Sequence, residues 1–288
     1  MDPDPPSEAR STASAAIKRM KLYQHLERVE RALNASDART PCPPETFEAL
    51  DQLHYEGRDA VDHAAGELGL GPGRCVLDVG SGLGGPARWL AHRHGCRVAA
   101  LELQPELDRA ARTLTARCGL DESVTHLCGD VLDPAKAPGP FDALVSWLVF
   151  LHIPDRPRLL TRCRERLRDG GGLYVEDFYL RAPLTDDERR LLHDEVFCSH
   201  LVDRERYVEE LGEAGFEDVE FEDRTATWQE FVIDRQQRFD RQREAYVAEH
   251  DRPTFDALNG FYRTMRTLFA GDRLGGVRVV ARAAAGPT

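Results

Sequence analysis

The residues best suited to chemistry stand in one run, Asp78-Val-Gly80-Ser81-Gly82-Leu-Gly84-Gly85, and at two places downstream, Glu102 and Gly129-Asp130. Glycines this dense let a chain turn tightly and let a ligand approach the backbone. A helix starting directly after them adds the positive end of its dipole. Gly80, Gly82 and Gly85 also satisfy the G-x-G-x-x-G pattern of dinucleotide sites, and glycine turns can equally serve packing. Glu102 stands where a carboxylate can grip both ribose hydroxyls. Asp130 can accept from an adenine amino group, or can serve only as a turn or cap residue. Three acids at successive strand ends favour a nucleoside ligand.

These residues need elements that bring them to one edge. From residue 74 short apolar runs alternate with amphipathic stretches. RCVLDVG, CRVAALEL, VTHLCGD, FDALVSWLVF, GGLYVEDFY and EDVEFED read as strands. GPARWLAHRHG, QPELDRAARTLTARCG, DRPRLLTRCRERL, TDDERRLLHDEVF and RERYVEELGEAGF read as helices. Such alternation gives an α/β fold with a doubly wound parallel sheet and right-handed crossovers. Residues 225–273 are long, aromatic and mainly helical in pattern, hence an inserted helical subdomain. GVRVVARAA is a last strand. Before the sheet, residues 1–15 read as a disordered tail. Residues 16–70 read as a helical lid, with an amphipathic helix over 16–34 that carries Tyr23 and His25. The Rossmann-like unit then spans 71–224, the cap 225–273, and the last strand and tail 274–288.

The run VLDVGSGLGGPARWLA, the acid after VAALE, the GD of HLCGD and the glycines before LYVED occur in one order. In that order they resemble the class I S-adenosylmethionine (SAM) dependent methyltransferases. The resemblance implies a seven-stranded sheet whose final strand is antiparallel, with SAM as cofactor. It implies that Asp78, Gly80 and Gly82, with Ser81 and Gly84, hold the methionine part. Glu102 and Leu103 would then meet the ribose, and Asp130 and Val131 the adenine. A nearer likeness, carried by SGLGGPAR, LHIP, AGFEDVEFEDRT and the helical insert, is to the phosphoethanolamine and sarcosine/dimethylglycine N-methyltransferases. QLHYEG resembles the turn that covers SAM in related small-molecule enzymes, which implies that Leu53, His54 and Tyr55 lie against the sulfonium. Leu148, His193, Phe197 and Ser199 depart from the phosphobase residues, so a phosphorylated acceptor is not expected.

Methyl transfer requires mainly alignment and exclusion of water. His152, after the fourth strand, is the candidate base or substrate orienter; a structural, helix-capping histidine is the alternative. Trp147 flanks the adenine or the substrate, or packs in the core. Asp177, Phe178 and Tyr179 end the fifth strand and are expected to face the cavity, where a carboxylate among aromatic rings suits a cationic amine. The insert roofs the pocket or forms a packing layer.

Composition narrows the classes. A net charge of -12 opposes phosphate backbones and anionic lipid. The 7 cysteines are odd in number and lack C-x-x-C spacing, against a zinc site or disulfide framework. MDPDPPSEARSTASAA lacks the apolar stretch of a signal peptide, and no apolar run reaches the length of a membrane span. The expectation is therefore a cytoplasmic methyltransferase, monomer or homodimer, acting on a small molecule without nucleic acid, membrane or metal. N-methylation of an amine or amino acid derivative is preferred, with O-, S- and C-methylation open. A nicotinamide-dependent oxidoreductase, or a SAM-binding module without turnover, are the competing classes. The only lysines, Lys18, Lys21 and Lys136, are poorly placed for hydride-transfer chemistry.

Overall fold

The computed structural model describes Val29, Leu33, residues 41–198 and residues 200–286. Short runs rich in Val, Leu and Ala become central strands, because only a residue buried on both faces of a sheet can be apolar in continuous series. Four of these are β1 (Cys75–Val79), β2 (Arg97–Glu102), β3 (Val124–Cys128) and β4 (Phe141–Trp147). The longer β5 (Leu167–Leu180), β6 (Phe216–Asp223) and β7 (Leu274–Ala283) complete the sheet. The seven strands lie in the order β3-β2-β1-β4-β5-β7-β6, with β7 antiparallel to both neighbours. This is the Rossmann-like, seven-stranded arrangement with an antiparallel last strand that the resemblance implied.

The helices start where local chemistry starts them. After α1 (Gly57–Glu67), the helix α2 (Gly85–His94) follows the left-handed Gly84 and stops at the left-handed Gly95. A proline opens α3 (Pro105–Arg117). Asp155 caps α4 (Arg156–Arg166) through the Arg158 N–H, and Thr185 with Glu188 forms a capping box on α5 (Asp186–Asp194). Asp203 caps α6 (Arg204–Glu213). The insert between β6 and β7 is three helices, α7 (Thr225–Arg241), α8 (Arg243–Glu249) and α9 (Arg252–Ala270). No helix among the described residues is long and apolar enough to cross a membrane. The expected tail, the helix over 16–34 apart from Val29 and Leu33, Tyr23, His25 and Ser199 lie outside the described residues.

Side chains alternate across β5, and this alternation corrects one expectation. Phe178 faces the cap cluster with Trp228, Phe261 and Phe269. Its neighbours Asp177 and Tyr179 therefore point to the opposite layer, under α4 and α6. There Asp177 is fully buried, accepting from Arg156 Nη1 at 3.3 Å and from the Tyr207 hydroxyl at 3.1 Å. Tyr179 donates to Asp223 at 2.9 Å on the same side. Asp177 thus holds α4 and α6 to the sheet and does not face an acceptor. Removing one partner of such a buried pair costs about 3–5 kcal/mol. Asp177→Ala should show a loss of that order in chemical denaturation; a change within error would contradict the structural role.

Candidate active site

The sheet order reverses between β1 and β4, and the carboxyl ends of those strands open a crevice. The chain leaving β1 turns through Gly80, Gly82 and Gly84, all with positive φ (73°, 54° and 77°). Gly80 and Ser81 donate their N–H groups to the Leu101 carbonyl at 2.8 and 3.0 Å. Gly82 donates to Glu102 Oε2 at 2.9 Å, and Glu102 Oε1 accepts from Gln104 at 2.9 Å. The Glu102 carbonyl in turn holds the Gly129 N–H at 2.9 Å. Loop, second acid and third strand end are thereby one hydrogen-bonded edge. Asp130 accepts from its own turn, at Leu132 N, through Oδ1. Leu103 is half-buried and Val131 buried beside these acids.

Two glycines have different reasons. A Cβ on Gly80 would lie 2.3 Å from Val149 Cγ2, whereas a Cβ on Gly82 would meet nothing within 4 Å. Gly80 admits the chain leaving β4; Gly82 borders open space. The third glycine of the apparent dinucleotide pattern, Gly85, is already spoken for. A Cβ there would sit 2.6 Å from the Asp51 carbonyl oxygen. Asp51 itself pairs with the buried Arg88 at 2.6 Å, so the short helical segment around it packs over the N-terminus of α2.

The electrostatics of this edge select a ligand. Asp78 is buried with Oδ2 lacking a partner, and the Ser81 hydroxyl is likewise buried and unpartnered. Burial, reinforced by the nearby Glu102, pushes the Asp78 carboxyl up to about 8. Burial also raises Glu102. Two acids held this close favour a ligand that brings a positive charge and hydroxyl donors. A pyrophosphate brings negative charge and no donor, so it would relieve the burial of neither carboxyl.

Beyond the loop lies a small cavity, with about 60 Å³ of room for water-sized occupants. Leu53, His54, Tyr55, Trp147, Leu148, His152 and Phe178 line it from the sheet side. The insert supplies Val232, Arg235, Phe261, Tyr262 and Met265. Leu148 has a left-handed backbone (φ 57°), a strained conformation for a branched side chain, and it turns the chain so that Val149 meets Gly80. The cavity therefore adjoins the glycine loop directly. The Trp147 indole N–H is buried without a partner, and its ring lies 5.4 Å from that of His54.

His152 contacts the Phe197 carbonyl through Nδ1 at 3.2 Å. A carbonyl only accepts, so Nδ1 carries the proton and Nε2 offers a lone pair. Burial pushes His152 down to about 4, and His54 likewise. Both are neutral at pH 7.

Of the expected site residues, the structure assembles Asp78, Gly80, Ser81, Gly82, Gly84 and Glu102, with Leu103, Asp130 and Val131, along the loop edge. It gathers Leu53, His54, Tyr55, Trp147 and His152 around the cavity. It sends Asp177 to the other face. Of the positions that depart from the phosphobase pattern, Leu148 lines the cavity and His193 is exposed beside Asp194. Sequence reasoning missed Arg235, four residues after Phe231 and so on the same helix face, because an arginine there ordinarily faces water.

Residues 76–171 match the family model of a methyltransferase domain. The sarcosine/dimethylglycine N-methyltransferase of Halorhodospira halochloris is 34% identical over 156 residues, 54% of this chain and 56% of that protein. Phosphoethanolamine N-methyltransferase 1 of Arabidopsis thaliana is 27% identical over 216 residues, 75% of this chain and 43% of that protein. The chain thus spans about half the length of these curated relatives. Among solved structures, phosphoethanolamine N-methyltransferase 2 of Haemonchus contortus, in complex with phosphomonomethylethanolamine and S-adenosylhomocysteine, superposes with a TM-score of 0.75. That match covers 89% of this chain and 60% of the other at 20% identity.

The glycine geometry gives a contrast. Gly80→Ala should lose roughly 1–3 kcal/mol by forced contact with Val149. Adding Val149→Ala should return part of that loss. Gly82→Ala, with open space for its methyl, should cost only the left-handed backbone term, about 1–2 kcal/mol. Denaturation midpoints read both; no recovery in the double variant would contradict the packing account.

Proposed function

We propose that this chain, which carries a methyltransferase domain over residues 76–171, transfers a methyl group from SAM to a small-molecule acceptor held in the aromatic cavity. The observation that carries the reading is the buried Asp78, its Oδ2 without a partner, beside Glu102 at the mouth of the glycine loop. When bound, SAM supplies an electrophilic sulfonium methyl. Asp78 and Ser81 would hold its cationic amino acid end, with the Gly80–Gly82 backbone alongside. Glu102 would accept from the ribose hydroxyls, Asp130 from the adenine, and the Leu53–Tyr55 turn would cover the sulfonium.

The rest of the chemistry belongs to the cavity. Its apolar and aromatic walls exclude water, and its shape aligns the acceptor. A histidine held near 4 is a poor base for an ammonium, which titrates near 10. His152 therefore acts as an orienter, its Nε2 lone pair receiving a hydrogen bond from a nucleophile that arrives uncharged. An amine nitrogen or an amino acid derivative remains the preferred acceptor, supported by the named activities of the two curated relatives. A SAM-binding module without turnover is the alternative, and product formation separates the two.

Incubation with methyl-labelled SAM and a panel of apolar amines and amino acids should yield labelled product. His152→Ala should lower kcat roughly a hundredfold by loss of alignment while the fold persists; full turnover in that variant would exclude the role. The pH profile gives a second check. A neutral imidazole persists from alkaline pH down to about 4. The kcat/KM profile should hence show no His152 limb between pH 6 and 8, and a limb near 6.5 abolished by His152→Gln would contradict the assignment.

A further inference from the structure

The acceptor cavity is mainly apolar, with two neutral histidines, His54 and His152, on its wall. Leu53, Leu148, Leu151, Val196, Val232, Met265 and aromatic rings line it, and among the described residues no Asp or Glu does. Among the described residues the only charged group on its wall is Arg235. The guanidinium stacks among three rings, 4.5 Å from the Phe231 centroid, 5.3 Å from Tyr55 and 5.9 Å from Tyr262. It donates through Nη2 to the His54 carbonyl at 2.8 Å and through Nη1 to the Leu53 carbonyl at 3.4 Å. A guanidinium has five N–H donors, so three remain.

Among the described residues no carboxylate pairs with Arg235. Of the acids nearest in sequence, Asp234 pairs with Arg238 at 2.8 Å, Asp240 accepts from Asn259 at 2.9 Å, and Glu230 is exposed and forms no ion pair with Arg235. Glu56, three residues from Leu53, pairs with Arg224 at 2.6 Å. A charge partly withdrawn from water, as on the half-buried Arg235, is ordinarily paired. Here the pairing offered by the protein is only backbone carbonyls and ring faces, and the unspent donors belong to a group on the cavity wall.

We infer that the acceptor is a hydrophobic carboxylate, its apolar body against the aromatic walls and its carboxylate on Arg235. The inference rests on the reading of this cavity as the acceptor site. Charge decides between acceptor classes. A cationic amine without an acid group would meet the guanidinium and find no carboxylate. A phosphate would bring a second negative charge to a wall with one cation. A carboxylate accepts two parallel N–H bonds from a guanidinium, the geometry in which such pairs are strongest. An apolar amino acid derivative, its nitrogen turned toward His152, satisfies both ends.

The test is a matched series titrated calorimetrically into the full chain, alone and with saturating S-adenosylhomocysteine: 3-phenylpropanoate, 3-phenylpropanamide and 3-phenylpropylamine. The acid should bind at least about tenfold tighter than the amide or the amine, the scale of one charge-assisted bidentate pair. Arg235→Gln should erase the difference, so that acid and amide bind with equal affinity, whatever common change follows from loosening the Leu53–His54 turn. Arg235→Lys should retain a reduced preference for the acid. An amine or amide that binds as tightly as the acid to the wild type overturns the inference, and this arm needs no variant to fold. An acid preference that survives Arg235→Gln also overturns it. Silence toward S-adenosylhomocysteine with the acid order and its Arg235 dependence intact would support the carboxylate site while removing the methyl-transfer reading.

Discussion

The turn Leu53–Gly57 is held in place by charge, and it forms one wall of the apolar cavity. Glu56 and Gly57 both have left-handed backbones, φ 60° and 53°, a costly pair when the first is not glycine. The Glu56 carboxylate accepts from Arg224 at 2.6 Å, from the Trp228 indole at 3.4 Å and from Arg278 at 3.5 Å. Arg235 holds the carbonyls of Leu53 and His54 from the same helix, α7. Arg278 on β7 extends the network to Glu176 on β5 and Glu222 on β6, each at 3.0 Å. Buried ion pairs contribute little net stability, but breaking one is expensive, so their effect is to fix position. Insert, last strand and covering turn are thereby a single unit over the cavity.

This arrangement gives the site two ends of opposite character. The glycine-loop end carries Asp78 and Glu102, both raised by burial, with Asp78 Oδ2 and the Ser81 hydroxyl short of partners. The cap end carries Arg235 and no acid. Between them lie Trp147, Leu148 and His152, on the segment that Val149 anchors to Gly80. A cationic donor at one end and an anion-bearing acceptor at the other would meet in the neutral middle, where charge is transferred with the methyl group. Preorganised dipoles and charges of this kind do more for catalysis than any single base with a depressed pKa.

The fold was legible because its signals are redundant. Strand runs, capping residues and the glycine loop all specify the same α/β order, and the acids Glu102 and Asp130 fall at strand ends that period and length locate. Orientation was less legible. Asp177 and Phe178 are adjacent, so strand alternation forces them to opposite faces, and reading the three residues Asp177–Tyr179 as one cavity wall ignored that rule. The aromatic insert showed that a cap was present but not which side chains faced inward. Arg235 differs from a solvated helix arginine through contacts with Leu53–Tyr55, some 180 positions earlier, and with Tyr262, and no local pattern encodes such contacts. The conflict over Gly85 was similarly invisible, because its close partner is the distant Asp51 backbone.

The central claim, that the acidic glycine-loop edge binds SAM, is tested most directly by calorimetric titration of the chain with SAM, S-adenosylhomocysteine and NADH, on wild type and Glu102→Ala. The account predicts micromolar binding of both sulfur ligands, lost in the variant, and no heat from NADH. Binding of NADH without response to SAM or S-adenosylhomocysteine would contradict it.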